Sequence, residues 1–246
     1  MIRLVAMDLD GTLAEFNKPI LPETLAFLKE LQANEITLVI TSGKEIGHVT
    51  GVVRQSGLTD IILVAENGAF INFGHQYPPS RTIMLDMTTA AAEELKRVRD
   101  VFLTQFGAKI WIQPNQSSFT IFRTEVETQK IYDFCDQVFK ELEIKHLKNF
   151  KTEGAIDILP RNIDKGVAIK LIQNELNLNI EETAVIGDGK NDIPMFLQGK
   201  LRITFPKSAQ TFQQFIPKIM KDINAALKFL LDLIQFEKST LLDNLL

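Results

Sequence analysis

The sequence predicts an α/β fold, a doubly wound parallel sheet into which a small α+β unit is inserted. Three observations carry that expectation. Short apolar runs alternate with helical segments from Leu4 to Ala65; between Arg81 and Pro160 the order changes to helix, hairpin, helix, hairpin; after Pro160 the first pattern resumes. Repeated β-α-β units imply a parallel sheet covered by helices on both faces, whereas helix-hairpin rounds imply an antiparallel sheet with helices on one face. The expected division is therefore a discontinuous core over 1–80 and 161–246, with a cap over 81–160.

Each element follows from its own pattern. Leu4-Val5-Ala6-Met7 reads as a buried strand, and the spacing of Leu25, Leu28 and Leu31 predicts a helix over Pro22 to Gln32. Ile36 to Ile40 reads as a strand, Ile46 to Gln55 as a helix closed by Ser56-Gly57, and Ile61 to Ala65 as a third strand. In the insert, Thr88 to Phe106 is helical, followed by strands Lys109–Ile112 and Ser118–Phe122 joined through Pro114-Asn115-Gln116. A second round places a helix over Glu125 to Leu142 and strands over Ile144 to Phe150 and Ala155 to Leu159, around Lys151-Thr152-Glu153-Gly154. The core then returns with helix Lys165 to Leu176, strand Thr183 to Ile186 and a last strand at Leu201 to Phe205. Leucines and isoleucines from Ile219 to Phe236 recur at helical spacing, and packing on the core is preferred over a dimer seam.

Composition excludes several classes. The chain has 246 residues, 45% of them hydrophobic, and a formal net charge of −4 that leaves no basic footprint for nucleic acid. The single cysteine, Cys135, cannot form an internal disulfide and reads as a small buried apolar residue. The amino terminus enters the first strand after Met1-Ile2-Arg3 without a basic region, apolar segment and cleavage site, and no apolar run is long enough to span a bilayer. A cytoplasmic protein without a membrane partner is expected, as a monomer or weak homodimer.

Two acid clusters follow strands. Asp8-Leu9-Asp10-Gly11-Thr12 follows the first strand, and Gly187-Asp188-Gly189-Lys190-Asn191-Asp192 follows Ala184-Val185-Ile186. The carboxyl ends of strands are where an open α/β sheet builds its sites, so the two clusters point to one metal site. Carboxylate donors of this kind suit Mg²⁺, and no Cys or His cluster suggests zinc. Alone, each motif has a plainer reading: an acidic turn for Asp8 and Asp10, a Ser N-cap for Ser42, a solvated helix-start lysine for Lys165, an Asn-Gly turn for Asn67. His48, His75 and His146 show no metal-pair spacing and are assigned structural or solvent roles; Trp111 is expected to pack against a cap helix.

Taken in order, Asp8-Leu9-Asp10-Gly11-Thr12, Thr41-Ser42-Gly43, Lys165-Gly166 and Gly187-Asp188-Gly189-Lys190-Asn191-Asp192 closely resemble the motifs of haloacid-dehalogenase (HAD) superfamily phosphatases. The insert resembles the α/β cap of the Cof-type branch (subfamily IIB), and Glu66-Asn67-Gly68-Ala69 is similar to a further signature of it. The likeness extends to about Leu197; beyond it, Gly199 to Lys207 departs from the small-residue loop of many relatives. It implies a Rossmann-like core and a Mg²⁺-dependent phosphomonoester hydrolase using a phospho-aspartate. Asp8 would be nucleophile and metal ligand, and Asp10 the acid/base, meeting the metal through its carbonyl. That role needs Asp10 protonated when substrate binds, which neighbouring carboxylates would favour. Lys165 would hold the nucleophile and the transferring group together. Ser42, Gly43, Lys165 and Asn191 would bind phosphate, and Asp8, Asp10, Asp188 and Asp192 would form the metal set. Ala155-Ile156-Asp157-Ile158-Leu159-Pro160 is similar to sucrose-phosphate phosphatases, while Ser42-Gly43-Lys44 with Glu66-Asn67-Gly68 leans toward mannosyl-3-phosphoglycerate phosphatases, so a sugar phosphate is the expected substrate class. The alternatives are a sugar phosphomutase with the same nucleophile and a phospho-accepting receiver-like signalling module.

Overall fold

A computed structural model describes residues 1–152 and 154–243; Glu153 in the expected turn and the last three residues of the expected core lie outside the described residues. The chain runs β1 (Leu4–Asp8), α1 (Pro22–Ala33), β2 (Thr37–Thr41), α2 (Ile46–Ser56), β3 (Ile61–Ala65), β4 (Phe70–Phe73) and β5 (Arg81–Met84). The insert continues as α3 (Thr89–Phe106), β6 (Ile110–Ile112), β7 (Phe119–Arg123), α4 (Thr128–Glu141), β8 (Leu147–Thr152) and β9 (Ala155–Pro160). The core resumes with α5 (Lys165–Glu175), β10 (Thr183–Ile186), α6 (Ile193–Phe196), β11 (Leu201–Thr204), β12 (Lys218–Ile219) and α7 (Ile223–Asp243).

An eight-stranded sheet has the order β12-β11-β10-β1-β2-β3-β4-β5, parallel from β12 to β3 and antiparallel beyond. β1 is central and wholly buried, which explains its unbroken apolar run. Leu28 and Leu31 of α1 join Ala226, Leu227, Leu230, Leu231 and Ile234 of α7 in one apolar cluster on the sheet, so the carboxyl-terminal leucines do pack on the core. The Thr24 hydroxyl donates to Asn224 Oδ1 across that contact at 2.8 Å.

A four-stranded antiparallel sheet, β6-β7-β9-β8, forms the cap. Its apolar side, Ile110, Phe119, Ile121, Ile156 and Ile158, packs under Leu95, Val98 and Phe102 of α3 and Ile131, Cys135 and Val138 of α4. Phe134 meets Phe102 and Phe106 edge-on, each at 5.1 Å between centroids. Cys135 lies wholly inside this cluster, where burial pushes its thiol up to about 12. A thiol-specific disulfide reagent is therefore expected to leave the folded protein unmodified and to titrate one thiol after denaturation; rapid modification of the folded protein would contradict this packing.

The boundary at residue 81 needs correction. Arg81–Met84 is not the start of the cap; it is the edge strand of the core sheet, with Phe73 opposite Arg81 and Ile71 opposite Ile83. β4 and β5 escape the periodicity because they are short, and because the chain doubles back immediately after β3. That reversal runs through Glu66, Asn67 and Gly68 at φ of 51°, 55° and 116°. Only glycine fits the last position, since a Cβ there would stand 2.3 Å from the Asp164 carbonyl oxygen.

Candidate active site

Parallel pairing brings the motifs together. Asp8 is in register with Thr41 on one side, and Met7 with Ile186 on the other, so the loops after β1, β2 and β10 open side by side at one edge of the sheet. Lys165, the first residue of α5, reaches between them: its Nζ is 2.5 Å from Asp8 Oδ1 and 2.6 Å from Asp192 Oδ1. It is 0% exposed, which rules out a solvated helix-start lysine. Asp164 caps that helix by accepting from the Val167 amide at 2.9 Å, and pairs with Lys148 of the cap strand β8 at 2.7 Å.

Asp8, Asp188 and Asp192 each present an oxygen within 4.8 Å of the others. Burial raises Asp8 well above the usual carboxylate range, and Asp192 adds to this while Lys165 opposes it. Asp188 is raised by burial and then by Asp192, against Lys207 and the Thr12 hydroxyl. For Lys165 burial alone would lower the value, but the Asp192 and Asp8 carboxylates outweigh it and the net direction is upward. Three acids with one buried ammonium form an oxygen-only group that can hold a hard metal ion, and their mutual repulsion is what such an ion would relieve. Gly11 keeps the approach open: its φ is 86°, and a Cβ there would lie 2.4 Å from Asp188 Oδ2. Asp192 is otherwise engaged, since its Oδ2 accepts the amides of Asp188 and Gly189 at 3.0 and 2.9 Å. It shapes the loop that presents Asp188.

Asp10 stands apart from this trio. Its side chain pairs with Lys44 Nζ at 2.5 Å, so its immediate partner is a cation and not the neighbouring carboxylates invoked from sequence. Ser42 is buried at the end of β2, where its hydroxyl accepts the Lys44 amide at 3.1 Å. It is not a helix cap, because α2 begins only at Ile46, after Glu45. Asn191 donates to Asn67 Oδ1 at 3.0 Å and faces Asp157 Oδ2 at 3.5 Å. Asn67 is itself buried, with its Nδ2 lacking a hydrogen-bond partner among the described residues and lying 3.1 Å from where a Cβ on Gly43 would stand.

Several pairings around the site are not evident from sequence. Glu66 is fully buried and accepts the cap amides of Gln116 and Ser117, at 3.0 and 2.7 Å; burial raises its carboxyl and those amides partly offset this. Gln113 Nε2 and Asn115 Nδ2 both donate to the Gly43 carbonyl at 3.0 Å, fixing the β6–β7 turn over the β2 loop. Lys207, from the segment that departs from the resemblance, reaches Asp188 at 3.3 Å. Asp157, on β9, takes the Thr120 hydroxyl at 2.6 Å. Glu66 was visible within a motif, but the pairings of Gln113, Asn115, Asp157 and Lys207 left no local signal.

The sequence and the fold have counterparts among known proteins. The sequence profile described as sucrose-6F-phosphate phosphohydrolase matches residues 1–228. The chain belongs to that family. Sucrose-6F-phosphate phosphohydrolase family membership agrees with its likeness to a phosphoglycolate phosphatase of Thermoplasma volcanium, 27% identical over 80% of this chain and 81% of that one. An HMP-PP phosphatase of Yersinia pseudotuberculosis is 23% identical over 89% of each chain. In three dimensions the fold matches a haloacid dehalogenase-like hydrolase from Bacteroides thetaiotaomicron, with a TM-score of 0.75, 15% identity, and 94% of this chain and 100% of that one covered. A HAD subclass IIB sugar phosphatase aligns with a TM-score of 0.71 at 16% identity, over 93% and 98% of the two chains. This member of the sucrose-6F-phosphate phosphohydrolase family is thus a phosphatase acting on phosphorylated small metabolites, with the fold of the haloacid dehalogenase-like structures it aligns with. No helix among the described residues is long and apolar enough to cross a membrane.

Proposed function

We propose that the protein hydrolyses a sugar phosphate in two steps, through an aspartyl-phosphate on Asp8. The observation that carries this reading is Lys165, buried and shared between Asp8 and Asp192 beside Asp188. Asp8 attacks phosphorus and the ester bond to the alcohol breaks, with Asp10 giving its proton to the departing oxygen. Asp10 then takes a proton from water, whose oxygen attacks the aspartyl-phosphate and frees phosphate and Asp8. Lys165, Ser42, the Gly43 amide and Asn191 hold the phosphoryl oxygens, and Lys165 balances charge that would otherwise repel the nucleophile. Lys44 must release Asp10 for the proton transfer. Asp8, Asp188 and the Asp10 carbonyl would hold Mg²⁺, with Asp192 setting the loop; bound there, the ion supplies neutralisation of the phosphate charge.

The sugar class draws support from the family description and from the Ala155–Pro160 segment, which carries Asp157 toward the site. The relatives named for phosphoglycolate and HMP-PP keep the range of small phosphate esters wide. The test is phosphate release across sugar phosphates in ¹⁸O-labelled water, with Mg²⁺ or with EDTA. Labelled phosphate is expected, falling at least about 100-fold on chelation. Isomerised sugar with no labelled phosphate would replace this reading with a mutase.

A further inference from the structure

One face of the cap sheet is not covered by cap helices. Side chains alternate along a strand, so Ile110, Ile112 and Ile121, which join the apolar cluster under α3 and α4, turn Trp111, Thr120 and Phe122 to the opposite side. Register then orders that side: Trp111 lies opposite Phe122, and Thr120 opposite Asp157. The face has two halves. Thr120 and Asp157 lie toward Asn191 and the buried Lys165, while Trp111 and Phe122 form an aromatic half beyond them. Trp111 therefore does not pack against a cap helix as the sequence reading prefers; it is 51% exposed.

The aromatic half faces a matching surface on the core. Phe16, from the loop after β1 and 52% exposed, approaches Phe122 with centroids 6.2 Å apart, and Trp111 stands 5.5 Å from Phe122. Together with Lys44, Gln113, Pro114 and a polar rim of Asn17, Glu45 and His48, these residues enclose an alcove of about 430 Å³, within the size range of small-molecule pockets. One lining residue, Lys44, joins the alcove to the chemistry. Lys44 Nζ lies over the Phe16 ring at 4.9 Å and holds Asp10 at 2.5 Å, so one residue of the alcove wall is bonded directly to the proposed acid. Its walls are fixed relative to the core by Gln113 and Asn115 on the Gly43 carbonyl and by Glu66 on the next turn.

We infer that this alcove selects phosphate esters whose leaving alcohol carries a ring with a flat apolar face, laid against Trp111, Phe122 and Phe16. The inference rests on the proposed phosphatase reading and narrows it. Phe16 and Trp111, each about half in water on either side of the partly buried Phe122, gain most from a flat partner, and a small acyclic alcohol would leave them wet. Both a pyranose, through its C–H face, and an aromatic ring offer that surface; the rim of Asn17, Glu45 and His48 can meet ring hydroxyls or heteroatoms.

The experiment compares kcat/KM for glucose 6-phosphate, benzyl phosphate, glycerol 3-phosphate and phosphoglycolate, all esters of ordinary alcohols, in the full-length protein with Mg²⁺. At least one ring ester is expected to exceed both acyclic esters by about tenfold or more. The better ring identifies which source of the flat face is used. Trp111→Ala and Phe16→Ala, changes at half-exposed positions on opposite walls, are each expected to reduce the ring-to-acyclic preference about tenfold. Equal use of ring and acyclic esters by the unaltered protein, or an unchanged preference in both variants, would overturn the inference. Failure of the phosphatase reading has a separate signature: no phosphate released from any of the four esters.

Discussion

Asp8→Asn is expected to lower Mg²⁺-dependent phosphate release by about 10⁴-fold or more, the scale on which an enzyme loses activity with its nucleophile. Asparagine has almost the shape of aspartate, so the change isolates charge and nucleophilicity. Its carbonyl oxygen can still accept from Lys165 where Asp8 Oδ1 does now, and Lys165 keeps its second bond to Asp192. Burial and Asp192 already disfavour an ionised Asp8, so removing that charge is expected to leave the metal-free melting temperature unchanged or raised. The stabilising shift on adding Mg²⁺ should shrink in the same variant. Phosphate release near the normal rate from a folded Asp8→Asn protein would remove the two-step mechanism, whatever the identity of the substrate.

What the site does depends on core and cap being joined at the place where substrate enters. Among the described residues, the ties across the boundary include these four: Glu66 to the Gln116 and Ser117 amides, Gln113 and Asn115 to the Gly43 carbonyl, Lys148 to Asp164, and Asp157 toward Asn191. Three of them end on or next to residues of the phosphate loops, and the fourth ends on the residue that caps the helix bearing Lys165. The cap is thereby held to the loops that carry Gly43 and Asn191 and to the start of the helix that carries Lys165.

The parts legible in sequence are those set by local pattern. Asp8, Ser42 and Asp188 each follow a short apolar strand, and parallel pairing of those strands forces their loops to one edge; the chain order of motifs therefore already encodes the site. Lys165 is different, because a lysine at a helix start has an unfavourable dipole and a solvated alternative; only its place in the order of motifs singles it out in sequence, and the structure buries it between two carboxylates. The β4–β5 hairpin was illegible for lack of length, and the start of the cap shifted with it. Trp111 exposes a further limit: in the three-residue strand Ile110–Ile112, with apolar residues at every position, alternation cannot say which face meets the helices and which meets the core. The pairing of Asp10 with Lys44 and of Asp188 with Lys207 joins loops separated along the chain, with no periodicity to announce it.

Lys165→Met is the stability counterpart of the nucleophile change, and its effect is expected to be large in both activity and folding. Methionine fills much of the space of the lysine stem, so the loss is that of the ammonium, which now satisfies Asp8 and Asp192 at once. With Lys165 0% exposed and both partners buried, no water can take its place without rearrangement. Removing one partner of a buried ion pair costs about 3–5 kcal/mol, against near neutrality had the whole cluster been exchanged for apolar groups. For a chain of this size that corresponds to a fall in melting temperature of about 6–20 °C. Mg²⁺ should recover part of the loss, since a cation bound by Asp8 and Asp188 offsets the repulsion that the ammonium no longer relieves, while Asp192 keeps only its two loop amides. The expected signature is thus a larger Mg²⁺-induced shift in the variant than in the unaltered protein, without recovery of phosphate release. A melting temperature within about 2 °C of the original in metal-free buffer would mean that the Lys165 ammonium contributes little net stability to the buried cluster of Asp8 and Asp192.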